Sequence, residues 1–149
     1  MLVSNISEDV GRNNELKNNG KTPYEFRDYQ KNSIDYLINK GYGRGLIEIP
    51  TAGGKSFILA NFIWNILKNV NRHYKTLILV PNKQLVEQFY KDLLDYGYNK
   101  YEVTRFTAGL KGANAFNPDA KIIIANRQYV FNNKDKLPDV DILICDEVH

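Results

Sequence analysis

Ile47-Glu48-Ile49-Pro50-Thr51-Ala52-Gly53-Gly54-Lys55-Ser56 joins a short apolar run to paired glycines, a lysine and a hydroxyl. Binding a triphosphate takes many hydrogen-bond donors at close range. Gly53 and Gly54 let the backbone bend so that its amides point inward with no side chain in the way. A helix starting near Lys55 adds its positive N-terminal end. Lys55 then reaches the β- and γ-phosphates, and the Ser56 hydroxyl takes a Mg²⁺ position. The strict pattern G-x-x-x-x-G-K-[ST] fails at its first position, where Ile49 stands. The phosphate-loop reading rests on context: the segment follows a strand and opens a helix, as the mechanism demands.

A second motif complements it. The apolar run Ile142-Leu143-Ile144-Cys145 leads into Asp146-Glu147-Val148-His149. At the tip of a buried strand, Asp146 can hold Mg²⁺ through a coordinated water, and Glu147 can polarise the water that attacks the γ-phosphate. By itself an acidic pair after a strand is usually a solvated strand end. Beside a phosphate loop it supplies the other half of a Mg-ATP site.

Between and around these motifs the apolar pattern alternates between two periods. Arg27 to Lys40 reads as a helix closed by Gly41, and Gly45 to Ile49 as a strand. Lys55 to Asn69 is a helix apolar almost all round, and therefore buried on more than one side. Thr76 to Val80 is a strand, and Asn82 caps a helix through Tyr96 with Leu85, Val86, Phe89 and Leu93 at three- and four-residue spacing. Glu102 to Phe106, Lys121 to Ala125 and Val140 to Cys145 are further strands. Alternating strands and helices imply parallel pairing through right-handed crossovers. Near-continuous runs such as Leu77-Ile78-Leu79-Val80 and Ile122-Ile123-Ile124 fit strands covered on both faces. The predicted fold is α/β, a doubly wound, mainly parallel sheet with helices on both faces. Ligands bind at the carboxyl ends of such strands, so Gly53, Asn82, Thr107, Asn126 and Asp146 are expected to share one rim.

The bulk numbers set bounds. The chain has 149 residues, enough for one domain with a core. With 43% hydrophobic and 25% charged residues it reads as an ordinary globular protein. A formal charge of +3 is compatible with nucleic acid without requiring it. The single cysteine, Cys145, cannot form an internal disulfide, which points to a reducing compartment and a cytoplasmic location. In its apolar run Cys145 is expected to be buried. The longest apolar stretch, Phe57 to Leu67, is interrupted by Asn61 and Asn65 and is too short to span a bilayer. Residues 1–22 are polar and aperiodic and read as a flexible leader or linker ahead of a domain at 23–149.

Pro50-Thr51-Ala52-Gly53-Gly54-Lys55-Ser56 resembles motif I of superfamily 2 helicases, and Asp146-Glu147-Val148-His149 resembles their motif II in its DExH form. Leu77 to Phe89 looks like motif Ia, and Phe106-Thr107-Ala108-Gly109 sits where motif Ib is expected. Ile124-Ala125-Asn126-Arg127-Gln128 resembles the next strand-end motif, with Asn126 in place of threonine. Phe26-Arg27-Asp28-Tyr29-Gln30 resembles the R-x-Y-Q element that precedes motif I. The combination is most like the XPB and phage UvsW-type DNA helicases.

The resemblance implies an incomplete RecA-like ATP-binding domain of a DNA helicase or translocase. ATP and Mg²⁺ would be its cofactors and DNA its partner, with RNA left open. Gln30 would read adenine, and Arg27 would contact the nucleotide, joined by Thr51, Ala52, Gly53, Gly54, Lys55 and Ser56. Lys55, Asp146 and Glu147 would be catalytic, with Ser56 and Asp146 on the metal. Pro81, Asn82, Lys83, Gln84, Gln88, Thr107, Gly109, Asn126 and Gln128 would track one nucleic-acid strand, helped by Lys111 and Arg127. His149 would couple the two sites. Motif III and a second RecA-like domain with an arginine finger are not in the sequence, so the segment alone is expected to be inactive. A missing strand beside the DExH strand is expected to make it marginally stable. Two other readings carry the same motifs: the motor part of a restriction endonuclease subunit, or a non-catalytic fragment that binds ATP or nucleic acid.

Overall fold

The computed structural model describes residues 54–146, together with Asp28 and Asn32. Asp28 and Asn32 are helical and exposed, within the span where a helix is predicted. The predicted strand at 45–49, the leader, and the motif residues Arg27, Gln30, Thr51, Ala52, Gly53, Glu147 and His149 lie outside the described residues. The chain divides into two compact units, residues 1–72 with 95–97 and residues 73–94 with 98–149.

In the first unit, helix α1 runs Lys55–Asn69, the span predicted from its apolar residues. Phe57, Ile58, Ala60, Asn61, Ile63, Asn65 and Ile66 are buried. They point in nearly every direction around the axis, as expected of a helix enclosed on several sides. Gly54 precedes it at φ 74°, ψ 44°, a left-handed conformation costly for any residue with a Cβ. Lys68 lies in the last turn, where a cation complements the helix dipole. The Phe57 ring meets Tyr96 edge-on, with centroids 5.3 Å apart.

The second unit is built on a four-stranded sheet. Strands β1 (Thr76–Val80), β2 (Val103–Phe106), β3 (Ile122–Asn126) and β4 (Ile142–Cys145) lie in the order β2-β3-β1-β4. All three pairings are parallel: Ile78 faces Ile124 and Ile144, and Arg105 faces Ile124. Helix α2 (Lys83–Asp95) starts where the Asn82 side-chain oxygen accepts from the Leu85 amide at 3.0 Å, a side-chain N-cap as predicted. It buries Val86, Phe89 and Leu93. A short helix α3 (Arg127–Asn133) follows β3 directly, and 3-10 turns occupy Gly112–Asn114 and Lys134–Lys136.

Side chains alternate across the sheet, and its two faces have different covers. On one face Leu77, Phe106, Ile123 and Ala125 form a buried cluster against Leu79, Phe116, Tyr129, Val130, Leu137 and Val140. Phe116 and Tyr129 stand 4.7 and 4.8 Å from the Phe106 ring, so the loop after β2 and helix α3 both cover this face. On the opposite face, Arg105 of β2 reaches Glu87 and Tyr90 of α2. Helices therefore lie on both faces, as the alternating pattern predicts.

Strand β4 departs from expectation. It is not a buried strand: its exposure alternates between half-buried and exposed, with Leu143 58% exposed. Cys145, expected to be buried, is exposed. The register explains this. Leu143 pairs with Leu77 and Cys145 with Leu79, so both belong to the face of the Phe106 cluster. The cover formed by Phe116, Tyr129 and Val130 leaves the β4 end of that face open. Among the described residues, no strand pairs with the other edge of β4.

Candidate nucleotide and nucleic-acid site

Gly54, Lys55 and Ser56 form the entrance of α1. The first helical bond runs from the Ile58 amide to the Gly54 carbonyl at 3.1 Å. The amides of the first turn ahead of it have no acceptor within the helix, the usual condition of a helix start. Lys55 and Ser56 are both half-buried. The Ser56 hydroxyl lies 3.0 Å from the Tyr96 hydroxyl. Tyr96, forty positions along the chain, is a contact that no motif spacing indicates.

In the second unit, parallel pairing brings the carboxyl ends of β1 to β4 to one edge, as predicted. Pro81 and Asn82 follow β1, Thr107 follows β2, Asn126 ends β3, and Asp146 follows β4. Asp146 is 9% exposed, and its amide donates to the Leu79 carbonyl at 2.9 Å. Lys83, in the first turn of α2, donates from Nζ to the Ala108 carbonyl at 2.9 Å, tying that helix to the loop after β2. Gly109, next in that loop, has φ +84°, and a Cβ built on it would sit 3.4 Å from the Lys83 ammonium. A side chain there would be strained by the left-handed backbone, and its Cβ would come into contact with the end of the lysine. This explains a glycine at that position without any appeal to a ligand.

The remaining predicted strand contacts are not alike. Gln84 and Gln128 are exposed, whereas Pro81 is half-buried. Gln88 is exposed and donates to Asp92 one turn on, at 2.8 Å. Lys111 is exposed. Thr107 is 6% exposed, so its side chain offers little surface to a partner. Asn126 is half-buried, and its Oδ1 is a buried acceptor with no hydrogen-bond partner. Arg127, expected to continue the outward path, turns its guanidinium toward the Asp146 backbone carbonyl.

Arg105 is a further residue that the motifs do not mark. It pairs with Glu87 at 2.6 Å, donates to Asn114 at 3.1 Å, and lies 4.1 Å from the centre of the Tyr90 ring. The Asn117 amide donates to the Thr104 hydroxyl at 2.8 Å. Both ends of the loop carrying Gly109 and Lys111 are thus fastened to β2.

A parallel sheet with the order β2-β3-β1-β4, helices on both faces and motif residues at its carboxyl edge is the fold of a RecA-like helicase domain. Residues 23–149 match the family described as type III restriction enzyme, res subunit (ResIII), and the chain belongs to that family. Among solved structures it is similar to the UvsW helicase from bacteriophage T4, with a TM-score of 0.73 and 23% identity over 92% of this chain and 50% of that one. A second T4 UvsW structure matches at 24% identity and TM-score 0.66, covering 86% of this chain and 26% of that one. A nuclease-deletion mutant of the type ISP restriction-modification enzyme LlaGI, in complex with a DNA substrate mimic, matches at 22% identity and TM-score 0.64 over 83% of this chain and 15% of that one. The chain therefore spans about half the length of the first of these relatives. No curated protein gives a significant match. No helix among the described residues is long and apolar enough to cross a membrane.

Proposed function

We propose that this chain is the ATP-binding part of a DNA helicase or translocase, coupling ATP hydrolysis to movement along a nucleic-acid strand. The observation that carries the reading is the ResIII match over residues 23–149, which takes in both Gly53-Gly54-Lys55-Ser56 and Asp146-Glu147. The left-handed Gly54 at the mouth of a 15-residue helix supports phosphate binding there, with Lys55 as the counter-charge. Arg27 and Gln30 would hold the base end of the nucleotide, and Thr51, Ala52 and Gly53 would complete the loop. Bound Mg²⁺ would neutralise phosphate charge, held by Ser56 and Asp146, with water and phosphate oxygens filling the rest of its shell. Glu147 would accept a proton from the attacking water.

The strand-tracking part of the reading is supported by polar residues at or just past one carboxyl edge, Asn82, Lys83, Gln84, Asn126 and Gln128, with Gln88 a turn along α2 and the Gly109 backbone in the loop after β2. Amides and a lysine suit backbone phosphates and carry no base code. Binding should therefore be insensitive to sequence and should weaken steeply with salt.

The test is a titration of the chain with a fluorescent ATP analogue and Mg²⁺. Lys55→Ala is expected to weaken binding by roughly two orders of magnitude, in line with losing a charge-assisted phosphate contact. An unchanged affinity in Lys55→Ala would refute the nucleotide site. The ResIII description and the likeness to LlaGI favour a second reading, a motor that serves a restriction endonuclease. A nuclease domain encoded with this chain would decide for it.

A further inference from the structure

Tyr96 follows α2 directly in the chain, and residues 95–97 belong to the same compact unit as α1. Two adjacent residues in the first turn of α1 touch it. Phe57 meets the tyrosine ring edge-on, with centroids 5.3 Å apart and 66° between the planes. The Ser56 hydroxyl lies 3.0 Å from the Tyr96 hydroxyl. Tyr96 is 9% exposed and Phe57 4%. Packing therefore fixes the ring and sets its oxygen against Ser56.

A hydroxyl carries one donor and two acceptor lone pairs, so in a pair of hydroxyls either can donate. The two directions differ for Ser56. If Tyr96 donates, it occupies one of the serine lone pairs. If Ser56 donates, both of its lone pairs stay available to other partners, and the hydroxyl is held in one rotation. Ser56 offers a hard, half-buried oxygen at the mouth of α1, which fits the Mg²⁺ role proposed above. A serine oxygen that lends a lone pair to a cation draws charge from its own O–H bond. Its hydrogen then becomes a stronger donor and calls for an acceptor. The Tyr96 oxygen stands at hydrogen-bond distance to be that acceptor.

We infer that Tyr96 is a positioning residue for the metal half of the nucleotide site. Its phenolic oxygen accepts the hydrogen bond from Ser56 and so turns the serine lone pairs toward the cation. The effect of Tyr96 on the metal runs through Ser56. The inference rests on the nucleotide site proposed above, and it gives a residue outside every motif a part in metal affinity that is separate from phosphate binding.

The experiment measures the affinity of the full chain for a fluorescent ATP analogue, in EDTA and across a titration with Mg²⁺. The wild type should bind more tightly with Mg²⁺, and Ser56→Ala should lose most of that gain. Tyr96→Phe keeps the ring against Phe57 and removes the oxygen alone. It should raise the Mg²⁺ concentration for half-maximal effect about five- to tenfold, in line with losing one hydrogen bond to a polarised hydroxyl, with affinity in EDTA within about twofold of wild type. In a Ser56→Ala background, Tyr96→Phe should change the Mg²⁺ dependence no further, because the hydroxyl it orients is already gone. Should Tyr96→Phe not fold, Tyr96→Met fills the space of the ring without a hydroxyl. An unchanged or tighter Mg²⁺ dependence in the folded variant overturns the inference. So does an equal loss with and without Mg²⁺, which is what a purely structural tyrosine would give, and so does a further loss on top of Ser56→Ala. A wild-type chain indifferent to Mg²⁺ overturns the proposed metal site and the inference with it. A wild type that needs Mg²⁺ through Ser56 but not through Tyr96 overturns the inference alone.

Discussion

Gly109 and Gly112 both adopt left-handed backbone, at φ +84° and +61°, but their surroundings differ. A Cβ at 109 would lie 3.4 Å from the Lys83 ammonium, whereas nothing stands within 4 Å of one at 112. Alanine at either position should cost about 1–2 kcal/mol, the strain of a left-handed L-residue, in urea unfolding. Only Gly109→Ala sets a methyl against the Lys83 ammonium, so it alone should weaken oligonucleotide binding. Equal oligonucleotide affinity in the two variants would separate Lys83 from that site. Asn82 shows that one side chain can satisfy two descriptions: its oxygen is committed to capping α2, which leaves its amide hydrogens for any partner.

At the scale of elements, Arg105 ties β2 to helix α2, through Glu87 and the Tyr90 ring, and to the loop after β2, through Asn114. Arg105→Ala should lose about 1–3 kcal/mol, a partly buried ion pair plus a cation–π contact. Arg105→Lys should recover less than half of that in thermal unfolding, because one ammonium cannot serve three partners in a fork. Helices α1 and α2 were legible because α1 stays apolar all round for four turns, while α2 repeats one apolar stripe and carries its own cap. Helix α3 was not, since Arg127–Asn133 makes about two turns and leaves Phe131 70% exposed, too little for a period to show. The motif residues could be placed at strand ends because β1, β3 and β4 are dominated by Ile, Leu and Val. Ser56 to Tyr96 and Arg127 to Asp146 are tertiary contacts, and no local pattern encodes them. The burial expected of Cys145 fails for a similar reason: an apolar run gives a strand, but not its place at the exposed end of the sheet. Its thiol should react with a water-soluble disulfide reagent in the native chain as fast as in unfolded chain, and protection would contradict the exposed placement.

For the molecule as a whole, the sheet divides into a protected centre and an open side. Ile123 is fully buried, and Ile123→Ala should cost about 2–5 kcal/mol in denaturant unfolding. Leu143→Ser, at a position 58% exposed, should change stability by no more than about 0.5 kcal/mol. In β4 the amides of Ile142 and Asp146 donate to Lys75 and Leu79 of the β1 side. With a period of two, the Leu143 and Cys145 amides point away from β1, to the edge where no strand pairs among the described residues. Hydrogen exchange should therefore be fast at 143 and 145 and slow at 144, and uniform protection along β4 would mean that this edge is covered. The strand order also sets a timetable for synthesis. Among the described residues β2 pairs with β3 alone, so a ribosome finishes β2 before that partner exists. At roughly 5–20 residues per second, β2 waits on the order of one to four seconds before β3 is complete. During that interval Val103 and Phe106, both buried in the finished sheet, wait without β3, which makes the β2 segment a natural place for a chaperone to bind the nascent chain.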